Sequence, residues 1–439
     1  MPWLLNIAYL LLLLAVSPLL IWRAITRGKY RTGWAERLWG ALPERPGKGE
    51  LIWFHAVSVG EVLQLEPLLS RCRQLRPDLE ILVSTTTRTG HELARQRYTD
   101  CQVCWFPLDF SWAVKRALRH VRPSLVILVE LELWPNFILA VHRANIPLAL
   151  VNGRVSQHSF AGYRRIGWLI RRLLRCFDRL IAQDDTCARR LAALGAPTER
   201  LHVSGSIKYD RIETRRDNPR TIALARQLGI KRGDPVFIAG STQSPEEQLA
   251  VEAWQSARQR HPRLRLIVVP RHPERFGEVA TLLRQQGLPL RRRSEISDGS
   301  GHQGDDLPIV LLDTIGELSD CWGLADVAFV GGSLTKRGGQ NMIEPAAYGA
   351  AVSFGPNTHN FREIVAEMLP RHAAVVVHDA DELTSFVRRA LEEPGFADRL
   401  GRQARSLVAG QLGATGRTVE LIGALMHQVA PTRRRRGAA

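Results

Sequence analysis

From residue 51 to residue 377 the chain alternates short apolar runs with amphipathic stretches of helical period, and this alternation restricts its fold more than any other feature. It is the pattern of βα units laid on parallel sheets. Strands are expected at 51–57, 81–85, 125–129, 148–152, 180–183 and 202–205, with helical stretches near 61–75, 91–97 and 137–144. A polar, Arg-rich stretch at 209–220, containing Asp217, Asn218 and Pro219, reads as a linker. The rhythm restarts with runs at 236–239, 265–269, 309–312, 327–330, 351–354 and 375–377. The expectation is an α/β chain of two Rossmann-like lobes, joined near residue 215, with a cleft between them. In such sheets ligands bind outside the carboxyl ends of the strands, so the residues directly after each strand are the candidates for function.

The start of the chain is of another kind. Residues 1–22 carry no charged side chain, and Trp3 and Trp22 bracket a run of mostly Leu, Ile, Ala and Val. Twenty helical residues span roughly 30 Å, the hydrocarbon thickness of a bilayer, and Trp favours its rims. Arg23, Arg27, Lys29, Arg31 and Arg37 follow. A cleaved signal places basic residues before the apolar run, the reverse of this order. The expectation is an N-terminal membrane-anchor helix with the rest of the chain on the cytoplasmic side. Pro18 and Asn6 weaken a simple span and keep open a helix or hairpin that enters only one leaflet. The expected divisions are an anchor at 1–24, a first lobe at 25–214, a second at 215–430 and a basic tail at 431–439.

Of 439 residues, 60 are Lys or Arg and 43 Asp or Glu, a net charge of +17 that suits nucleic acid, an anionic membrane surface or an anionic small substrate. The 6 cysteines are scattered, which fits a reducing compartment rather than a disulfide scaffold. Cys101 and Cys104 form a lone C-x-x-C in an extended segment that places their thiols on opposite faces, and with no H-E-x-x-H or second Cys pair no metal site is expected. There is no G-x-x-x-x-G-K-[ST] and no G-x-G-x-x-G after a strand, so NTP hydrolysis and dinucleotide redox chemistry lose support.

Several strand ends carry residues able to do chemistry. The first turn reads His55-Ala56-Val57-Ser58-Val59-Gly60-Glu61 and opens a helix. Glu61 there is either an acid that complements the helix dipole or a general base at a strand's carboxyl end. After the run at 125–129 come Glu130 and Glu132, which strand alternation points to one side; they are either paired with arginines or used. Lys208, in Gly205-Ser206-Ile207-Lys208, follows another strand and by position alone reads as solvent-exposed. In the second lobe Pro270, Arg271 and His272 end a strand with an Arg–His pair able to meet phosphate or carboxylate. Gly316 and Glu317 sit at a strand-to-helix turn. Gly331-Gly332-Ser333 runs on to Gln340-Asn341-Met342-Ile343-Glu344-Pro345, a pattern that suits a nucleotide, with glycine amides toward phosphate and Glu344 toward ribose hydroxyls.

Taken together, HAVSVGE at 55–61, ELELWPN at 130–136, GSIKYD at 205–210, PRHPER at 270–275, DTIGEL at 313–318 and GGSLTKRGGQNMIEPAA at 331–347 resemble the 3-deoxy-D-manno-octulosonic acid (Kdo) transferases of lipopolysaccharide assembly, in order and over nearly the whole chain. The resemblance implies a GT-B glycosyltransferase that moves Kdo from the donor CMP-Kdo to the lipid A precursor (lipid IVA), with inversion and with neither metal nor cofactor, at the inner membrane. It makes Glu61 the proton acceptor and Glu130 and Lys208 transition-state stabilisers. It places CMP contacts at Pro270 and Arg271, at Ile315, Gly316 and Glu317, and at Asn341, Met342, Ile343 and Glu344. Met342 departs from the Pro often found there, a change in loop stiffness. An anionic acceptor in a membrane needs a basic and apolar docking surface, which residues 163–175 supply if they form one helix; the other reading is an ordinary surface helix with a buried Leu/Ile face. Two other functions fit the pattern and the charge: a GT-B transferase using a UDP-sugar on another lipid, and a membrane-tethered nucleic-acid binder. The second lacks a basic–aromatic module, so no nucleic-acid partner is expected.

Overall fold

The structure is a computed structural model that describes residues 2–27, 32–43, 45, 47, 49–296 and 307–429. The chain divides into two units, Met1–Arg211 with Gln411–Ala439, and Ile212–Gly410. Among the described residues the first unit holds a sheet of seven parallel strands, β1 (Leu51–His55), β2 (Glu80–Thr85), β3 (Gln102–Trp105), β4 (Leu125–Val129), β5 (Leu148–Gly153), β6 (Arg179–Ala182) and β7 (Leu201–Val203). Their order is β3-β2-β1-β4-β5-β6-β7. The second unit holds seven more, β8 (Val236–Thr242), β9 (Arg265–Pro270), β10 (Leu290–Arg292), β11 (Ile309–Leu311), β12 (Val327–Val330), β13 (Ala351–Phe354) and β14 (Val375–Val376). They are ordered β10-β11-β9-β8-β12-β13-β14, again parallel.

The central strands are apolar at every position because helices cover both faces of a parallel sheet. In the first unit, Trp53, Val126, Leu128 and Leu150 enter one core layer, while Ile52, Phe54, Ile127 and Ala149 enter the other. That second layer is completed from far along the chain. The Ala414–Val429 helix packs against the Val59–Leu75 helix and brings Val419, Ile422, Leu425 and Met426 into it. The sequence reading had kept residues up to 430 in the second lobe and drawn the boundary after 214; contacts draw it after Arg211 and return the chain to the first unit at Gln411. The cause is the sheet's need for an apolar cover, which that helix face supplies.

The N-terminal helix runs Pro2–Arg27, yet among the described residues no helix is long and apolar enough to cross a membrane. The spanning anchor expected at 1–24 is thus not shown among the described residues. Asn6 is 5% exposed and its side chain, with that of Tyr9, is spent on polar contacts to the first unit rather than placed in lipid. Arg37, expected in the basic flank, lies with its guanidinium 4.0 Å from the centre of the Trp105 ring and donates to the Thr86 carbonyl. Lys29, Arg31 and the tail beyond 430 lie outside the described residues. The expected helix at 163–175 is broken at Ile166 into Gln157–Arg165 and Gly167–Leu174; Ile170, Leu173 and Leu174 are buried while Trp168 is exposed.

Candidate active site

In the first sheet the strand order reverses between β1 and β4, the switch point outside which such sheets bind ligands. β1 delivers the turn to Glu61 and β4 the turn to Asn136. His55, which closes β1, is fully buried against Phe106 with ring centroids 3.7 Å apart, and burial pushes its imidazole down to about 3, so it packs as a neutral ring. Ser58 caps the Val59–Leu75 helix and forms a capping box with Glu61. The Glu61 carboxylate accepts from the Val57 N–H at 2.8 Å, the Ser58 N–H at 3.3 Å and the Ser58 hydroxyl at 2.7 Å. The helix-start reading of Glu61 is thus realised, and the same bonds fix one carboxylate at the switch point.

Glu130 follows β4 directly. Its N–H still pairs with the Val151 carbonyl at 2.9 Å, but its φ is 59°, a left-handed conformation that costs a residue with a side chain about 1–2 kcal/mol. Such strain is found where surrounding structure holds a group for use. Burial raises the Glu130 carboxyl and the nearby Glu61 raises it further, while Arg154 and Lys208 pull it back. Glu61, Glu130 and Lys208, named from the sequence, therefore share one electrostatic neighbourhood, with Lys208 beside the Tyr209 ring. A cavity of about 330 Å³ is lined by Glu130, Leu131, Glu132, Arg154, Ser156, Ser159 and Tyr163, so the two glutamates face the same space.

Glu132 is the residue the site assignment left out. Burial, then Glu61 and Glu130, raise its carboxyl from 4.5 to about 7. In the folded protein it keeps its proton between about pH 4.5 and 7, where the unfolded chain has lost it; stability therefore falls as pH rises through that window. Glu132→Gln cannot titrate, so its melting temperature relative to the parent should climb from pH 5 to pH 8. A pH-independent difference would remove Glu132 as the titrating group.

A relay also missed by the sequence reading joins these turns. Asn152, buried at the end of β5 with φ 55°, donates to the Gln64 side chain and accepts from the Ile207 N–H at 3.2 Å, next to Lys208. Gln64 in turn donates to Glu130 at 3.5 Å. Only its place at a strand's carboxyl end marked Asn152 in the sequence, where Asn tolerates the left-handed region. Asn152→Leu strains that backbone and leaves the Ile207 N–H buried without its acceptor; a loss of about 2–3 kcal/mol in denaturant unfolding is expected.

In the second unit the switch point lies between β8 and β12. The glycine turn after β12 was expected to offer its amides to phosphate. Instead the Glu246 carboxylate, fully buried at the start of the Glu246–Arg258 helix, accepts from the N–H groups of Gly332 (2.6 Å), Ser333 (3.0 Å), Leu334 (2.9 Å) and Gln243 (2.8 Å). Gly331 is required by this approach: a Cβ there would lie 2.7 Å from the Glu246 Oε2 and 2.6 Å from the Thr242 Cα.

The remaining candidates gather in part. The Arg271 charge, on an exposed side chain, acts on Glu344, which accepts from the Asn341 amide at 2.8 Å. Met342 and Ile343 are buried, so only their backbone can face a ligand, and Pro270 is the buried last residue of β9. Ile315 is exposed and Gly316 open, with φ 95°, whereas the Glu317 carboxylate is engaged by Arg293 at 2.8 Å and by the Thr314 hydroxyl. Among the described residues no group of three or more His, Cys, Asp or Glu side chains is placed to hold a metal.

The fold and this carboxylate–lysine cluster define a two-unit α/β enzyme. A solved glycosyltransferase from Rickettsia africae shares the fold, at 12% identity and a TM-score of 0.54 over 87% of this chain and 99% of that one. Residues 32–211 match the family described as 3-deoxy-D-manno-octulosonic-acid transferase (kdotransferase). The 3-deoxy-D-manno-octulosonic acid transferase of Haemophilus influenzae is 34% identical over 94% of this chain and 97% of its own length. That of Bordetella pertussis is 34% identical over 94% and 98%. The chain belongs to the Kdo transferase family and is a glycosyltransferase.

Proposed function

We propose that this chain transfers Kdo from CMP-Kdo to lipid IVA, with inversion and without a metal, at the cytoplasmic face of the inner membrane. The observation that supports the reading is the placement of Glu61 and Glu130 after β1 and β4, which flank the switch point of the first sheet, with the Lys208 charge acting on Glu130. An acceptor hydroxyl is a poor nucleophile; Glu61 takes its proton as the oxygen bonds to the anomeric carbon of Kdo, a contribution of roughly 10²–10⁴-fold. The bond from that carbon to the phosphate oxygen breaks and CMP leaves with the electron pair. Glu130 stabilises the positive charge that develops on the sugar and Lys208 the negative charge of the donor, while Arg271 meets the phosphate, because Glu246 already fills the glycine turn. Asn341 and Glu344 orient the nucleotide. Location at the membrane is supported by the exposed Trp3, Leu11 and Leu14 of the N-terminal helix and by Trp168 beside Arg171, Arg172 and Arg175, which line one cavity with it.

The test is incubation of the full chain in detergent with CMP-Kdo, lipid IVA and a chelator, and mass spectrometry of the lipid. A Kdo-bearing lipid is expected. No product, with the Haemophilus relative active in parallel, overturns the reading, and activity only after a divalent metal is restored overturns its metal clause. Protection against thermal unfolding by UDP and not CMP would shift the donor to a UDP-sugar.

A further inference from the structure

The helix that begins the chain has two unlike faces. Trp3, Ile7, Leu10, Leu11 and Leu14 are exposed. The other face carries Asn6 and Tyr9 into the first unit. The Asn6 amide donates to the Ser111 hydroxyl at 2.7 Å, and its oxygen accepts from the Ser111 N–H at 3.0 Å and the Asn136 amide at 3.2 Å. The Tyr9 hydroxyl donates to the Asp109 carboxylate at 2.9 Å.

Asp109 has a second task. Its carboxylate accepts from the N–H groups of Asn136 at 2.9 Å and Phe137 at 2.8 Å, and its carbonyl from the Asn136 amide at 2.6 Å. These are the first turns of the Pro135–Arg143 helix, whose own N-cap residue, Trp134, makes no side-chain cap bond. A helix start ordinarily satisfied from its own sequence is held here by a residue from another loop. The turn at 130–134 is thus fixed at one end by β4 and at the other by Asp109, which itself is gripped by the N-terminal helix.

We propose that Asn6 and Tyr9 are positioning residues for the reaction, setting the Glu130–Glu132 turn through Asp109 and Asn136. The proposal rests on the reading of Glu130 as a stabiliser. Loss of the latch frees the helix start, and a displacement of the order of 1 Å in a catalytic group can cost up to about a hundredfold in rate. The helix therefore does more than attach the protein: whatever seats its apolar face is mechanically joined to the turn that bears the carboxylates.

The test compares the parent with Tyr9→Phe, Asn6→Ala and the double variant, in detergent, with CMP-Kdo and lipid IVA. Ile222→Ser, at an exposed position in the second unit, is the control. The double variant should lose about tenfold in kcat with donor KM within about twofold. Amide exchange at Asn136 and Phe137 should accelerate, with exchange in β1 and β4 unchanged, and Ile222→Ser should match the parent in kcat. Unchanged kcat together with unchanged exchange at Asn136 and Phe137 overturns the proposal. A loss in kcat accompanied by general acceleration of exchange in β1 and β4 also overturns it, since that is a structural role. If the double variant does not fold, Tyr9→Phe, which removes one hydroxyl, decides by the same readouts. Should Glu130→Gln leave turnover intact, the role of Glu130 fails, and the amide exchange still reports whether the latch exists.

Discussion

Glu61→Gln should lower turnover by at least about a hundredfold while the protein stays folded. The two halves of this result separate two roles that the same side chain carries. As the third residue of its helix, Glu61 closes a capping box with Ser58, and glutamine at that position can still accept from the Val57 N–H through its amide oxygen while its NH2 donates to the Ser58 hydroxyl. Helix and turn are therefore retained, and the melting temperature should move by no more than a few degrees. Glutamine cannot take a proton from an acceptor hydroxyl. The assay is steady-state turnover with CMP-Kdo and lipid IVA beside a thermal melt. Near-parent turnover would remove Glu61 as the base; collapse of the melt would show that only its capping role had been read.

Glu246→Ala should cost at least about 3 kcal/mol, seen as a lower denaturant midpoint for the unit that contains it. Four backbone N–H groups from two turns converge on this carboxylate, and it is fully buried. Alanine leaves all four without an acceptor in a fully buried place. Glu246→Gln, with one oxygen in place of two, should fall between. Burial pushes the Glu246 carboxyl up while the four donors pull it back. A midpoint within error of the parent would mean that the glycine turn holds its shape unaided.

The architecture was legible wherever apolar residues run without interruption. The strands at Leu125–Val129, Val327–Val330 and Ala351–Phe354 coincide with the runs seen in the sequence, because a central parallel strand is buried on both faces. β3 (Gln102–Trp105) and β10 (Leu290–Arg292) went uncounted: each lies at the edge of its sheet, where polar and charged residues are tolerated and no run forms. Glu130 stood out because it directly follows a strand and Glu61 because it opens the helix after β1, whereas Lys208 entered only through the resemblance. Gln64 and Glu246 did not stand out, since both act from within helices across distances that spacing does not encode. Asn6 was visible as a polar residue that weakens a simple span, but its partners, Ser111 and Asn136, lie more than a hundred residues away and were not legible.

The return of the Ala414–Val429 helix to the first unit has a consequence for biogenesis. Ribosomes deliver about 5–20 residues per second, so the roughly 200 residues of the second unit emerge over some tens of seconds while one layer of the first unit still lacks its cover. The half-domain that carries Glu61 and Glu130 must wait without Val419, Ile422, Leu425 and Met426, the residues that complete its second core layer. The nascent chain is thus most exposed to chaperones and proteases in the portion made earliest. A ribosome stalled near residue 410 would release a finished second unit attached to an unfinished first one.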